Sequence, residues 1–325
     1  MTGRLMFLYS PSLFVFRACV LKGRLYVLKE SASTVFYGVP AEEEESNDQE
    51  VAQEMVHTLR DYFQLDKVSL EECYQRWSKL DPNFDRKAYL FQGIRILRQD
   101  PWENLICFIC SSNNNIARIT QMVHKLSIHY GTKVATLDDV DYYAFPEPDK
   151  LAHEDVEAHL RQLGFGYRAK YIAQTAQRIA AQEQQQAWLS GLRDVPYEQA
   201  KQALLQFPGV GPKVADCVCL MSLDHAEAIP VDTHVWQIAL RDYGFSKKQQ
   251  NKTLTSKLYD EVGNHFRTLF GPYSGWAHSV LFTADLRSFE ARLSKNQGIG
   301  NLSHKKLIVQ ESEQITRRSK RLRQK

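Results

Sequence analysis

The chain has 325 residues, of which 43% are hydrophobic and 24% are charged, which is the composition of one large or two smaller globular domains. Its formal net charge of +3 is small, so a nucleic-acid-binding surface would have to come from local clusters of basic residues. Six scattered cysteines do not form the pattern of a disulfide framework, and no apolar run reaches the length of a membrane span. We therefore expect a protein of a reducing compartment with no membrane partner.

The N-terminal part has the pattern of a small mixed domain. Two segments rich in aromatic and β-branched residues, 14–21 and 24–39, flank Lys22-Gly23 and predict a hairpin. An acidic run at residues 42–49 follows, and helical periodicity begins at Val51. Residues 1–88 are accordingly predicted to form a short α+β domain.

Residues 89–290 predict a bundle of short helices. Apolar residues recur at helical spacing and are interrupted by Gly, Pro and Asp turns throughout this stretch. The fold class is therefore mainly α.

The C-terminal stretch, residues 291–325, has a different composition, and six of the nine residues at 317–325 are basic. It predicts a disordered tail that acts as a nuclear import signal, a phosphate-binding arm or a solubilising end. We expect a nuclear protein on this basis. A mitochondrial pool is the alternative, because the first 29 residues contain five basic residues and no acid before Glu30.

A glycine-rich segment at residues 207–213, Phe-Pro-Gly-Val-Gly-Pro-Lys, separates two apolar helical stripes. Gly209 and Gly211 permit positive φ and close backbone approach, and Pro212 suits the first position of the second helix. The segment predicts two helices joined by a hairpin whose free amide N–H groups face outward. Such a hairpin binds phosphate through its backbone, without reading sequence.

Lys213 is placed in the first turn of that second helix, where the helix dipole does not favour a cation. One explanation is phosphate binding by an ordinary point charge. The other is nucleophilic chemistry, because partial burial and a helix N-terminus favour the neutral form of an amine, which can form a Schiff base with a sugar carbon.

Asp232 precedes a second amphipathic helix and is predicted to be its N-cap. A carboxylate held at a helix start stays ionised, so it can also stabilise a developing oxocarbenium ion. The capping role alone would explain why an aspartate stands at this position. The catalytic role requires the same cap in addition to the charge.

The segment at 207–213, followed by Val-Asp-Thr-His at 231–234, resembles the helix-hairpin-helix and Gly/Pro…Asp signature of DNA glycosylases. Four further segments resemble eukaryotic 8-oxoguanine DNA glycosylase within residues 51–289: CSSNNNIAR at 110–118, GYRAKY at 166–171, CVCLM at 217–221 and GPYSGWA at 271–277. The resemblance implies a helix-hairpin-helix domain preceded by a small, incomplete TBP-like α+β domain. It also implies a monomeric glycosylase and AP lyase that removes 8-oxoguanine opposite cytosine from double-stranded DNA, without cofactor or metal.

The same resemblance assigns roles to individual residues. It implies that Lys213 displaces the damaged base and then supports β-elimination, assisted by Asp232. The implied base pocket consists of Cys217, Met221, His278 and Phe282. The implied DNA contacts are Asn113 in the space of the flipped base, Tyr167 as a wedge, Arg118 and Arg168 at the opposite cytosine, Gly209 and Gly211 in the hairpin, and His234 at a phosphate.

The sequence departs from the family pattern at two places. His278 stands where the family commonly has glutamine, which predicts base discrimination that changes with pH. The family segment Gly-Gln-Ser-Phe-Arg-Trp, whose glycine carbonyl accepts the N–H that distinguishes 8-oxoguanine from guanine, has no counterpart here.

Two other functions stay open at this point. One is a glycosylase for another damaged base, although the branch that carries an iron–sulfur cluster is disfavoured because no cysteine follows Cys219. The other is a non-catalytic helix-hairpin-helix protein that only binds DNA.

Overall fold

The computed structural model describes residues 16–31, 34–38, 48–182, 186–245 and 254–286. Helices dominate these residues, which confirms the predicted mainly α fold. The helices are α1 (Asp48–Tyr62), α2 (Leu70–Leu80), α3 (Pro82–Ala88), α4 (Pro101–Ser111), α5 (Ile116–Tyr130), α6 (Pro148–Leu151), α7 (Val156–Gln162), α8 (Arg168–Ala180), α9 (Gln186–Gly191), α10 (Tyr197–Leu204), α11 (Pro212–Ser222), α12 (Thr233–Asp242), α13 (Ser256–Phe270) and α14 (Ser274–Ala284).

The N-terminal strands form an antiparallel sheet in the order β1 (Phe16–Leu21), β2 (Arg24–Glu30) and β3 (Val35–Gly38). The predicted hairpin is confirmed, because Lys22 and Gly23 form the turn with φ values of 48° and 75°. The second predicted segment is not one strand, however. A turn divides it where the Ser31 hydroxyl bonds with the carbonyl and the amide N–H of Thr34. The ends of the predicted segments, Phe14 and Val39, lie outside the described residues.

A small apolar core joins this sheet to α1. Its buried members are Cys19, Tyr26, Leu28, Met55 and Leu59. Helices α2 and α3 instead contribute to the larger core that the later helices share. The boundary after residue 88 stays a prediction.

A second hairpin, β4 (Lys133–Leu137) and β5 (Val140–Tyr143), was not predicted from the sequence. Asp138 and Asp139 form its turn with φ values of 49° and 59°, a conformation that Asp adopts more readily than most residues. The hairpin contacts β1 and β2, so it joins the helical part of the molecule to the N-terminal sheet.

Helix α4 lies at the centre of the larger core. Nine of its eleven residues are buried, and it packs against α5, α8, α9 and α11. Its cysteines Cys107 and Cys110 are buried in the core, as the apolar surroundings predicted. No helix within the described residues is long and apolar enough to cross a membrane. The predicted tail at residues 291–325 lies outside the described part of the chain.

Candidate active site

The hairpin between α10 and α11 positions the first group of predicted residues. Gly209 has a φ of +78°, and a Cβ there would lie 2.5 Å from Cδ2 of Tyr171, so both the backbone conformation and the space require glycine. The expectation of a positive φ is wrong for Gly211, whose φ is −95° and whose Cβ position is open. Gly211 is instead the exposed N-cap of α11, and Pro212 begins the helix as predicted.

Lys213 lies in the first turn of α11 and is half-buried. Its Nζ is 4.9 Å from the centroid of the Phe108 ring, which comes from the buried helix α4. Cys217 follows one turn later on α11, where burial raises the pKa of its thiol and the nearby Lys213 ammonium has a smaller, opposing effect. The lysine amine is therefore held between an aromatic ring and a thiol at the border of the core.

Asp232 is the N-cap of α12, which confirms the predicted capping role. Its Oδ1 accepts a hydrogen bond of 2.9 Å from the backbone N–H of Val235. The other oxygen, Oδ2, takes no part in the cap among the described residues, and the side chain is half-buried at the beginning of α12. The carboxylate is thus fixed by the helix start and retains an oxygen that can interact with a positive charge.

The predicted base-pocket residues come from α11 and α14. His278 and Phe282 lie one turn apart on α14 with ring centroids 6.3 Å apart, and the exposed His234 of α12 packs edge-on against Phe282 at 6.0 Å. Met221 is half-buried near the end of α11. Leu220 of α11 approaches the start of α14 closely, since a Cβ on Gly275 would lie 2.5 Å from its Cδ1.

His278 is 5% exposed, and neither ring nitrogen has a hydrogen-bond partner among the described residues. Burial lowers the pKa of His278 to about 4, against a smaller opposing effect of the Asp232 carboxylate. The imidazole is therefore neutral at physiological pH and offers one donor and one acceptor. An unpaired buried polar ring of this kind requires an explanation, and a polar ligand atom would supply it.

The predicted DNA contact Asn113 lies on the loop of residues 112–115 between α4 and α5. Asn113 is exposed with a left-handed φ of 47°, whereas its neighbours bond locally. The Asn114 amide donates to the Cys110 carbonyl, and Asn115 caps α5 by accepting from the N–H of Arg118. Local side-chain hydrogen bonds thus account for Asn114 and Asn115 but not for Asn113.

The remaining predicted contacts join the same loop. Tyr167 is 47% exposed and its hydroxyl donates to the Ser112 carbonyl at 3.2 Å. The guanidinium of Arg168 is buried, lies 4.5 Å from the centroid of the Tyr167 ring, and donates to the carbonyls of Ser112 and Asn113. Arg118 is exposed and donates to the Gly164 carbonyl at 3.1 Å. The structure therefore brings Asn113, Arg118, Tyr167 and Arg168 together.

Two contacts connect this loop cluster to the hairpin and the lysine. Helix α4 carries Phe108 against Lys213 and ends just before Asn113, while Tyr171 of α8 packs on Gly209 and lies 5.7 Å from Tyr167. Phe108 was not predicted as a site residue, because it stands in a uniformly apolar run that carries no signal of a special role.

Two family models match the chain in succession. The "8-oxoguanine DNA glycosylase, N-terminal domain" matches residues 16–105, and the "HhH-GPD superfamily base excision DNA repair protein" matches residues 106–263. The chain belongs to the 8-oxoguanine DNA glycosylase family. The first match covers the N-terminal sheet, the helices α1 to α3 and the beginning of α4, and the second runs from the rest of α4 into α13.

Curated relatives agree with this membership. The "N-glycosylase/DNA lyase OGG1" of Arabidopsis thaliana is 46% identical over 225 residues, which are 68% of this chain and 60% of the relative. The "N-glycosylase/DNA lyase" of Saccharomyces cerevisiae is 42% identical over 251 residues, which are 70% of this chain and 66% of the relative. The family member thus matches somewhat less than two thirds of the length of these relatives.

A solved structure of Clostridium acetobutylicum 8-oxoguanine glycosylase/lyase has the same fold. It superposes with a TM-score of 0.67 at 30% identity, over 83% of this chain and 84% of the clostridial chain. That structure is a complex with double-stranded DNA containing cytosine opposite 8-oxoguanine.

Proposed function

We propose that this protein is a bifunctional DNA glycosylase and AP lyase that removes 8-oxoguanine opposite cytosine from duplex DNA. The observation that carries the proposal is the placement of Lys213, a half-buried amine over the Phe108 ring at the start of the hairpin's second helix. The similarity to two N-glycosylase/DNA lyases and to a clostridial 8-oxoguanine glycosylase/lyase supports the substrate class.

In the first step the neutral Lys213 amine attacks C1′ of the damaged nucleotide, and the N-glycosidic bond breaks with its electron pair leaving on the base. Positive charge develops on the sugar as this bond breaks, and the Asp232 carboxylate stabilises it. The lysine nitrogen then loses a proton, and the C1′–O4′ bond of the sugar ring breaks while O4′ takes up a proton, which leaves an iminium between Lys213 and C1′.

In the second step the iminium acts as the electron sink. A base removes a proton from C2′, the electrons form the C2′–C3′ double bond, and the 3′ phosphate leaves, so the strand is cut by β-elimination. Water then hydrolyses the imine and returns the free lysine. One amine therefore serves both the base removal and the strand cleavage.

The loop cluster supplies the contacts that take the base out of the helix. Tyr167 is the exposed aromatic ring that wedges into the base stack, and Asn113, held at a left-handed φ, fills the vacated space. Arg118 provides an exposed guanidinium donor for the opposite cytosine, and Arg168 provides a second one when its buried guanidinium leaves the Ser112 and Asn113 carbonyls. The hairpin N–H groups around Gly209 and Gly211 bind phosphate, with His234 at a second phosphate.

The decisive experiment traps the Schiff base. The full-length protein is incubated with duplex DNA containing 8-oxoguanine opposite cytosine in the presence of borohydride, and the covalent protein–DNA adduct is measured on a denaturing gel. We expect the wild type to form the adduct and Lys213→Gln to form none. Lys257→Gln, which removes a lysine whose side chain is 87% exposed on α13, should trap as well as the wild type.

An adduct that survives in Lys213→Gln would disprove the role of this lysine. Binding of the same duplex by the wild type without any adduct or base release would identify a non-catalytic DNA-binding protein instead. Parallel reactions with unmodified guanine and with other damaged bases distinguish 8-oxoguanine from the alternative substrates.

A nuclear location and a monomeric state are further parts of the proposal. The basic run at 317–325 supports nuclear import, and replacing its six Lys and Arg residues by Gln in a fluorescent fusion should redistribute the protein to the cytoplasm. A fusion found in mitochondria would favour the alternative pool. Light scattering of the purified full-length chain tests the monomer.

A further inference from the structure

A buried ionic network lies on the core side of the proposed site. The Asp216 carboxylate of α11 is fully enclosed, and the Lys201 ammonium of α10 lies 3.1 Å from its Oδ2. Burial raises the pKa of Asp216, and the Lys201 charge is the largest opposing effect. A buried ion pair of this kind persists only where its charges are paired and further hydrogen-bonded.

Two phenols complete the bonding of this carboxylate. Tyr197 donates its hydroxyl proton to Oδ1 at 2.6 Å, and Tyr259 of α13 donates to Oδ2 at 2.5 Å. Burial raises the pKa of both phenols, so both remain proton donors. Short hydrogen bonds between a hydroxyl and a carboxylate are among the stronger ones in proteins.

Tyr259 differs from Tyr197 in a second contact. Its hydroxyl oxygen accepts a hydrogen bond of 3.3 Å from the backbone N–H of Val231, the residue directly before Asp232. The second contact of the Tyr197 hydroxyl is with Lys201, whose ammonium donates to it at 3.3 Å. Tyr259 therefore links the helix that carries Lys213 to the segment that carries Asp232.

The Tyr259 hydroxyl relates the position of Lys213 to that of Asp232. Asp216 lies three residues after Lys213, one turn along the same rigid helix, so a group bonded to Asp216 has a fixed relation to Lys213. The Pro230–Val231 peptide, which carries this N–H, lies one residue before Asp232 and so helps to set where the Asp232 carboxylate begins α12. The Tyr259 hydroxyl thus joins the backbones that hold the two proposed catalytic groups.

We propose that Asp216 and Tyr259 are positioning residues that fix the separation between the Lys213 amine and the Asp232 carboxylate. Lys201 keeps Asp216 in place as its buried counter-charge. The inference rests on the proposed function, because it assigns a task to the network only if Lys213 and Asp232 act together. Neither Asp216 nor Tyr259 contacts the DNA in this role.

The test compares two isosteric substitutions in the full-length protein. Tyr259→Phe and Tyr197→Phe each remove one hydroxyl from the same carboxylate, but only the first also removes the acceptor of the Val231 N–H. Base release and strand cleavage are measured in single turnovers at saturating 8-oxoguanine duplex, together with the Kd for the duplex. We expect Tyr259→Phe to lower the rate constant roughly tenfold or more, because small misplacements of catalytic groups are costly.

We expect Tyr197→Phe to change the rate less than about threefold, and neither variant to change the Kd. The rates of each variant are measured at a temperature the same number of degrees below its own Tm, which removes the effect of a general loss of stability. Equal rate losses in the two variants, or no loss in Tyr259→Phe, would overturn the positioning role. A wild type that fails to release the base would instead overturn the proposed function, so the two failures are distinguishable.

A second pair of variants protects the test against misfolding. Asp216→Asn leaves the Lys201 charge unpaired, whereas the double variant Lys201→Met with Asp216→Asn removes the charge and keeps an oxygen that can accept from Tyr259. We expect the double variant to recover most of the rate that Asp216→Asn loses. If the double variant regains the wild-type Tm but stays slow, the charge of Asp216 or Lys201 matters by itself. The positioning role would then be rejected.

Discussion

Asp232 caps α12 in the structure, and substitutions can separate this role from its proposed catalytic role. Its Oδ1 accepts from the Val235 N–H and caps α12, while its negative charge reaches the site, as the opposing effect on the pKa of His278 shows. Asparagine caps a helix about as well as aspartate does, but it carries no charge. The structural and the chemical contributions can therefore be measured independently.

We expect Asp232→Asn to leave the free energy of unfolding within about 0.5 kcal/mol of the wild type and to slow base release at least about a hundredfold. Asp232→Ala should lose the same activity and also about 1 kcal/mol of stability, because the cap is removed. Urea denaturation and single-turnover base release are the two measurements. An Asp232→Asn protein that works at the wild-type rate would show that the residue is a cap and nothing more.

The sequence predicted the site residues more completely than their contacts. Periodicity and the glycine-rich hairpin were enough to place Lys213 and Asp232 at two helix starts, because these signals are local. They could not indicate Tyr259, which is 43 residues from Asp216 and reaches it through tertiary packing. The sequence also could not predict the contact of Phe108 with Lys213, because a phenylalanine beneath a lysine stands in the same apolar pattern as any other core phenylalanine.

At the level of elements, the two glycines of the hairpin have different structural reasons. Gly209 has a left-handed φ of +78° and faces the Tyr171 ring, whereas Gly211 has extended backbone and open space around it. The sequence does not distinguish the two positions, because a glycine can stand where the backbone requires a positive φ or where a backbone N–H must stay accessible.

This difference predicts unequal costs for the same substitution. Gly209→Ala should lower the free energy of unfolding by about 1–3 kcal/mol, because alanine is strained at this φ and its methyl group meets Tyr171. Gly211→Ala is the matched control and should change it by less than about 0.5 kcal/mol. Urea denaturation measures both variants, and equal costs would contradict the assignment of Gly209 as the conformationally required glycine.

At the scale of the whole molecule, Arg98 connects parts of the chain that are far apart in sequence. Its guanidinium donates at 2.9 Å to Asp61 at the end of α1 and at 2.7 Å to Asp224 just beyond α11. The side chain is 19% exposed, so solvent screens these pairs only partly. The N-terminal sheet with α1 is thereby tied to the helix that carries Lys213.

We expect Arg98→Gln to lower the free energy of unfolding by about 2 kcal/mol, because two partly buried carboxylates lose the guanidinium that they share and only Asp224 keeps a second cation, the Lys67 ammonium at 3.3 Å. Arg161→Gln should lower it by less than about 0.5 kcal/mol, since the Arg161–Glu157 pair is exposed and lies within one helix. Urea denaturation at low and high salt provides the comparison. A loss no greater than that of Arg161→Gln would mean that Arg98 does not hold the two parts together.

Helix α4 is about 16 Å long and buried along nearly its whole length, with Phe108 beneath Lys213 and the Asn113 loop at its end. A volume change anywhere along it disturbs its packing, and such disturbances are felt over several residues because protein interiors are close-packed. We therefore expect that random mutagenesis, screened for temperature-sensitive variants, will yield many substitutions in α4. Such variants should remove the damaged base at low temperature and lose this activity on warming.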